Sequence, residues 1–158
     1  MKSFTDNSGR TWAVVINVDA IKRVRGLLHV DLLDLNVLDQ LIRDPILLCD
    51  VVYAVCQPEA AARQVSDVDF GRAMAGDPID QATKALLEDL ADFSPSPRDR
   101  ANLKRVLDTT WKVMDRTRDV IEARLKDVAV DKIVEQALAS VNDSSGGAPV
   151  SPASSPGF

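Results

Sequence analysis

The sequence predicts a mainly α-helical protein: an N-terminal β-hairpin or small antiparallel sheet, followed by a helical bundle with a long C-terminal helix. Three observations predict it. The first eighteen residues read as a hairpin, with "KSFT" and "RTWAVVINV" flanking the turn cluster "DNSG". Beyond them, apolar residues recur at three- and four-residue steps. Asp44-Pro45, Asp77-Pro78 and Ser96-Pro97 then restart that pattern, each a capping residue before a proline at a first helical position. The implied organisation is a hairpin and first helix over 1–35, a helical core over 36–95, a long amphipathic helix over 96–141 and a disordered tail over 142–158.

In the hairpin, "KSFT" pairs with "RTWAVVINV", where Trp12, Val14, Ile16 and Val18 alternate onto one face. Ala13 and Val15 make the other face partly apolar, which implies partial cover on both sides or an edge that another chain can complete. Asp19 is the expected N-cap of a helix in which Ile21, Val24, Leu27 and Leu28 form the stripe while Lys22, Arg23 and Arg25 face out. "HVDLLDL", 29–35, is expected to be a short strand or irregular segment, with Asn36 capping a helix that runs through Ile42. From Pro45 to about Gln57 the apolar residues wrap almost all the way round, which belongs at the centre of a domain. "PEAAARQ" extends this helix, and Ser66 with Asp69 forms a capping box in its acidic variant. Gly76 ends the short helix, and Ile79, Ala82, Leu86, Leu90 and Phe93 carry the next stripe. The last helix shows Leu103, Leu107, Trp111, Met114, Ile121, Leu125 and Val128 at helical spacing and no Gly or Pro from 98 to 140. Either it breaks near "KDVAVD" or its second half looks for a partner.

Composition narrows the function. The chain has 158 residues, of which 46% are hydrophobic but only 4% aromatic, so the core is expected to rest on Leu, Val, Ile and Ala. A net charge of −5 argues against binding a phosphate backbone, so nucleic acid is not the expected partner. No apolar signal segment follows Met1, and the apolar run at 45–56 is shorter than the roughly 20 residues of a membrane span. A soluble, intracellular protein is therefore expected. Cys49 and Cys56 lie two helical turns apart, beyond disulfide reach, and are read as packing residues.

No phosphate loop, zinc motif, nucleophile elbow or calcium loop is present, so no catalytic, cofactor-binding or metal-binding residue is expected. The carboxylates are spread along amphipathic helices beside Lys and Arg, and Asp115–Asp119 and Glu122–Lys126 are ordinary i,i+4 neighbours on a solvated face. His29 has no partner acid or nucleophile at a diagnostic spacing. The residues of interest are Trp12, Trp111, Met114, Ile121 and Leu125: each reads as core packing or as an anchor on a protein-binding surface.

The order of parts over about residues 10–93 resembles the small tail assembly chaperones of long-tailed, siphovirus-like bacteriophages. Asp44-Pro45, the apolar run from Leu47 to Cys56, Ser66 to Phe70 opening a helix, and the amphipathic segment Ile79 to Phe93 carry that resemblance. It implies a non-enzymatic protein in the host cytoplasm that binds the tape-measure protein, keeps it soluble and helps recruit tail-tube subunits. It also implies absence from the finished particle and a longer form made by frameshift. The helix beginning at Pro97 is longer than the last helix of a typical member. A structural tail or head-tail component is the alternative expectation, and a helical regulator using Arg98, Arg100, Lys104 and Arg105 is another. A second copy of the chain is a further candidate partner.

Overall fold

In a computed structural model describing residues 1–143 and Gly157, two short strands precede six helices. The strands are β1 (Lys2–Thr5) and β2 (Thr11–Val14); the helices are α1 (Val18–Leu28), α2 (Leu35–Arg43), α3 (Pro45–Ala62), α4 (Asp67–Arg72), α5 (Asp77–Phe93) and α6 (Pro97–Asp143). The mainly α fold with an N-terminal antiparallel pair and a long last helix is thus the observed one. The tail expected at 142–158 lies almost wholly outside the described residues. The chain forms two compact units, Met1–Thr110 and Trp111–Phe158, so the division falls within α6. Elements of 1–35 and 36–95 share one core in the first unit, because the hairpin packs on α3 and α5.

The hairpin register sets Phe4 opposite Trp12 and Ser3 opposite Ala13. Phe4, Trp12 and Val14 are buried, as period-two alternation requires. β2 ends at Val14, earlier than the apolar run suggested, because the chain leaves the ladder there. The N–H of Ile16 donates instead to the Asp89 carboxylate on α5 at 2.6 Å. Nor is β2 an edge open to another chain. Glu59 accepts from the Ala13 N–H at 3.1 Å, Arg63 donates to the Thr11 carbonyl at 2.9 Å, and the Cys56 thiol points to the Ala13 carbonyl at 3.5 Å. These side chains come from the last turns of α3 and from its C-cap residue Arg63, so a helix end closes the strand with its side chains.

Phe70 of α4 stands at the join. Its ring meets Trp12 at 5.2 Å and Phe4 at 6.4 Å edge-on, and lies tilted against Tyr53 at 5.3 Å. Few as they are, most of the aromatic residues gather at this junction, and the remaining core is aliphatic. Asn7 ties the turn down, donating from its N–H to the Ala73 carbonyl at 3.0 Å and from Nδ2 to that of Ala75 at 2.9 Å.

α3 is the central helix. Leu48, Val51, Val52, Ala54, Val55, Cys56 and Ala60 are buried, and α1, α2, α4, α5 and β2 all pack on it. Its length and apolar content match a membrane span, but those neighbours occupy the surface that lipid would need. Asp44 caps it, accepting from Ile46 and Leu47 at 3.0 and 3.1 Å. The helix then runs through Pro58 rather than stopping before it. Proline has no N–H for the Ala54 carbonyl. Arg23 of α1 supplies the donor, with Nη1 at 3.0 Å from the Ala54 and Val55 carbonyls. Arg23, expected to face water, is turned inward for this task.

Other boundaries shift in similar ways. Asn17, not Asp19, caps α1, accepting from the Ala20 N–H at 2.8 Å; Asp19 pairs with Arg23 one turn on. "HVDLLDL" contains no strand. Asp31 accepts from the Leu33 N–H at 3.1 Å, making a turn, and Asp34 rather than Asn36 caps α2. His29 is exposed and closes α1 in the left-handed conformation, φ 56°. Ser66 accepts from the Asp69 N–H at 3.1 Å, the capping read from sequence. Gly76 (φ 68°) stands before α5, whose first turn contains Asp77 without a side-chain cap. α6 is one uninterrupted helix of 47 residues, with no break at "KDVAVD".

Candidate functional site

Three places merit inspection: the buried polar groups, an apolar pocket in the first unit, and the faces of α6 beyond Thr110.

Of the buried polar residues, Thr83 donates to the Ile79 carbonyl within α5, while Asp6 and Asp89 hold the hairpin and the chain that follows it. Asp6 is buried and accepts four hydrogen bonds: from the N–H groups of Ser8 at 2.9 Å and Arg10 at 3.0 Å, and from Arg10 Nε and Trp12 Nε1 at 2.8 Å each. Burial pushes its carboxyl up, but the donors from Trp12, Arg10 and Ser8 together hold it below the usual carboxylate range. Arg10 and Arg63 lie over the Trp12 ring at 5.6 and 5.1 Å from its centroid. Trp12, a candidate partner anchor by sequence, is therefore corrected: it is 0% exposed and belongs to the core. Its indole N–H and ring are both already used. Both cysteines are free thiols; burial pushes Cys56 up to about 12, which keeps it protonated and unreactive. Among the described residues no group of three or more His, Cys, Asp or Glu is placed to hold a metal ion.

The pocket lies between the loop before α2, the end of α5 and the first turns of α6. Its volume is about 320 Å³, and Leu35, Leu38, Leu87, Phe93, Leu103 and Leu107 line it, with Ser94 among few polar contributors. The size is within the range of small-ligand and side-chain-binding pockets. With no titratable group in the wall, it offers apolar contact rather than acid–base chemistry. Its rim is wet: Leu33 and Leu35 are exposed. Leu103 and Leu107, the first members of the stripe read from sequence, are thus placed. Leu33, Leu35 and Phe93 were missed as site residues, because only the fold brings three distant segments together. The one available signal was the excess of leucines in "HVDLLDL", too many for the core facing of so short a segment.

Beyond Thr110 the helix is mostly wet. Trp111 and Met114 are half-buried, whereas Ile121 and Leu125 are 52% and 64% exposed. Met114, Ile121, Leu125 and Val128 share one side of the helix, with Trp111 at its margin. The charges around them pair locally, Lys126 with Glu122 at 2.7 Å and Arg118 with Asp115 at 3.8 Å, as solvated helix neighbours do. Exposure does not stop there. Val120, Val130, Ile133, Val134, Leu138 and Val141 are each at least half exposed. A surface of this kind can bind apolar polypeptide, and it has no constellation for bond-making chemistry.

No protein-family profile matches the chain, and neither a curated protein nor a solved structure shows significant similarity to it.

Proposed function

We propose that this protein acts by gripping another polypeptide, as a tail assembly chaperone that holds the phage tape-measure protein in solution and helps recruit tail-tube subunits. The observation that carries this reading is the line of exposed aliphatic side chains on α6: Ile121, Leu125 and Val128, continuing the half-buried Met114. A helix within a protein gains most of its stability from packing one apolar face. Here the face is offered to water, which favours a partner that completes it. A long, helical, apolar chain is such a partner, since an amphipathic helix recognises another through anchors spaced at three and four residues. The pocket at Leu38, Phe93 and Leu107 gives a second apolar contact suited to a large side chain.

Co-expression with the tape-measure protein of the same phage is the test. The expected result is that the two co-purify and that the tape-measure protein stays soluble only with this chain. Ile121→Asp and Leu125→Asp, both on exposed positions, should abolish rescue while leaving the helical content intact. Unchanged solubility and no co-purification would remove the proposal. Stoichiometric copies in purified particles would instead favour a structural tail component.

A further inference from the structure

α6 carries a second apolar seam, on the side nearly opposite Ile121 and Leu125. Val120, Ala123, Asp127, Val130, Val134, Ala137 and Val141 follow one another at alternating steps of three and four residues. That is the seven-residue repeat of a coiled coil, with valine at every a position but Asp127 and alanine or valine at d. At 100° per residue Val130 lies about 140° from Leu125 around the helix, so the two surfaces are separate. The large aliphatics of the seam, Val120, Val130, Val134 and Val141, are 50–69% exposed. Valine is a poor helix former, and a run of it in a helix is stable only where packing covers it.

From this we infer that the seam is covered by a second copy of the same chain, in a parallel two-stranded coiled coil over Val120–Val141. The flanking positions select that occupant and its direction. In a parallel pair the g residue of one strand meets the e residue five positions later on the other. This places Asp119 against Arg124, Lys126 against Asp131, and Ile133 against Leu138 of the second copy, twice by symmetry. Every such contact is an opposite-charge pair or an apolar pair. An antiparallel pair, in which e meets e and g meets g, would set Lys126 against Ile133 and Asp119 against Ser140. Asp127 is the single polar member of the seam. In this register it meets Asp127 of the second copy, and the two facing carboxylates weaken the pair, which is held by the valines and the flanking contacts. Covering Val120, Val130, Ile133, Val134, Leu138 and Val141, with the alanines, on both copies removes on the order of 1,200 Å² from water, the lower bound for a specific interface. A reversible dimer follows.

The seam does not use Ile121 or Leu125, so this inference stands or falls independently of the tape-measure reading. Sedimentation equilibrium of the full chain over a micromolar concentration series should show a species of twice the 17.2 kDa chain mass. Arg124→Asp should weaken the dimer by about tenfold, the equivalent of roughly 1.4 kcal/mol for two pairs turned repulsive. The double variant Asp119→Arg with Arg124→Asp should restore it, and Arg124→Asp with Asp131→Arg should not. Val134→Cys, in a Cys49→Ser background, should cross-link to a disulfide dimer on mild oxidation, because a positions face each other only in the parallel arrangement. Circular dichroism checks that each variant keeps its helix. A chain that stays monomeric throughout overturns the inference. So does rescue by the Asp131→Arg pair alone, or a dimer that Val134→Cys fails to cross-link.

Discussion

Pro58 sits inside the central helix, and Arg23 supplies the donor that proline lacks. Replacing Arg23 by Met keeps most of the apolar stem and removes the guanidinium. The Ala54 carbonyl then has no donor, since Pro58 has no N–H, while the Val55 carbonyl still has the N–H of Glu59 one turn on. An unpaired buried acceptor costs about 1–3 kcal/mol. The lost pair with Asp19 adds little, because the Asp19 side chain is 79% exposed. The expected loss is about 2–3 kcal/mol, a large share of a domain stability of ~5–15 kcal/mol. Pro58→Ala restores an N–H that reaches the Ala54 carbonyl, so Arg23→Met should cost about 1 kcal/mol less in that background. Urea unfolding of the four proteins, followed by circular dichroism, closes the cycle. If the two substitutions are additive within about 0.5 kcal/mol, the compensation does not exist.

Asp6→Asn keeps shape but turns a donor toward Arg10 Nε and Trp12 Nε1, and should cost about 3–4 kcal/mol through two lost charge-assisted bonds. Because the folded carboxyl is held low, Asp6 stabilises fully above the ordinary aspartate value of 3.8, and that contribution is lost as pH falls through the lowered folded value. Acid titration of stability should therefore flatten in Asp6→Asn, and an unchanged profile would dismiss the assignment. Leu86→Ala, at a wholly buried position, should lower stability by about 3 kcal/mol in the same urea assay; a loss below 1 kcal/mol would mean that the site is not core. Asp44→Ala removes the cap that serves Ile46 and Leu47 and should cost about 1 kcal/mol, read as a shift in thermal midpoint; no shift would leave the cap without energetic weight.

What the sequence determined by itself was local and periodic. Alternation across Trp12 and Val14 marks the strand, Asp44-Pro45 and Ser96-Pro97 mark helix starts, and the all-round apolar run from Ile46 to Cys56 marks the central helix. Each follows from neighbours within a turn or two, which is the range over which propensity and capping act. The long last helix was legible for the same reason, as was the exposure of its polar charges. What only the tertiary structure decided were encounters between residues far apart in the chain. Arg23 reads as a solvent-facing charge until Pro58 leaves a carbonyl bare beside it. Trp12 reads as core or as a partner anchor until Asp6, Phe70 and Arg63 surround it. β2 reads as a strand partly covered on both sides, or as an edge for another chain, until Glu59 and Cys56 arrive from α3. Apart from the leucine excess of "HVDLLDL", the pocket has no sequence signature, because its lining comes from three segments. Burial and pairing depend on which surfaces the fold brings together, and no single segment carries that information.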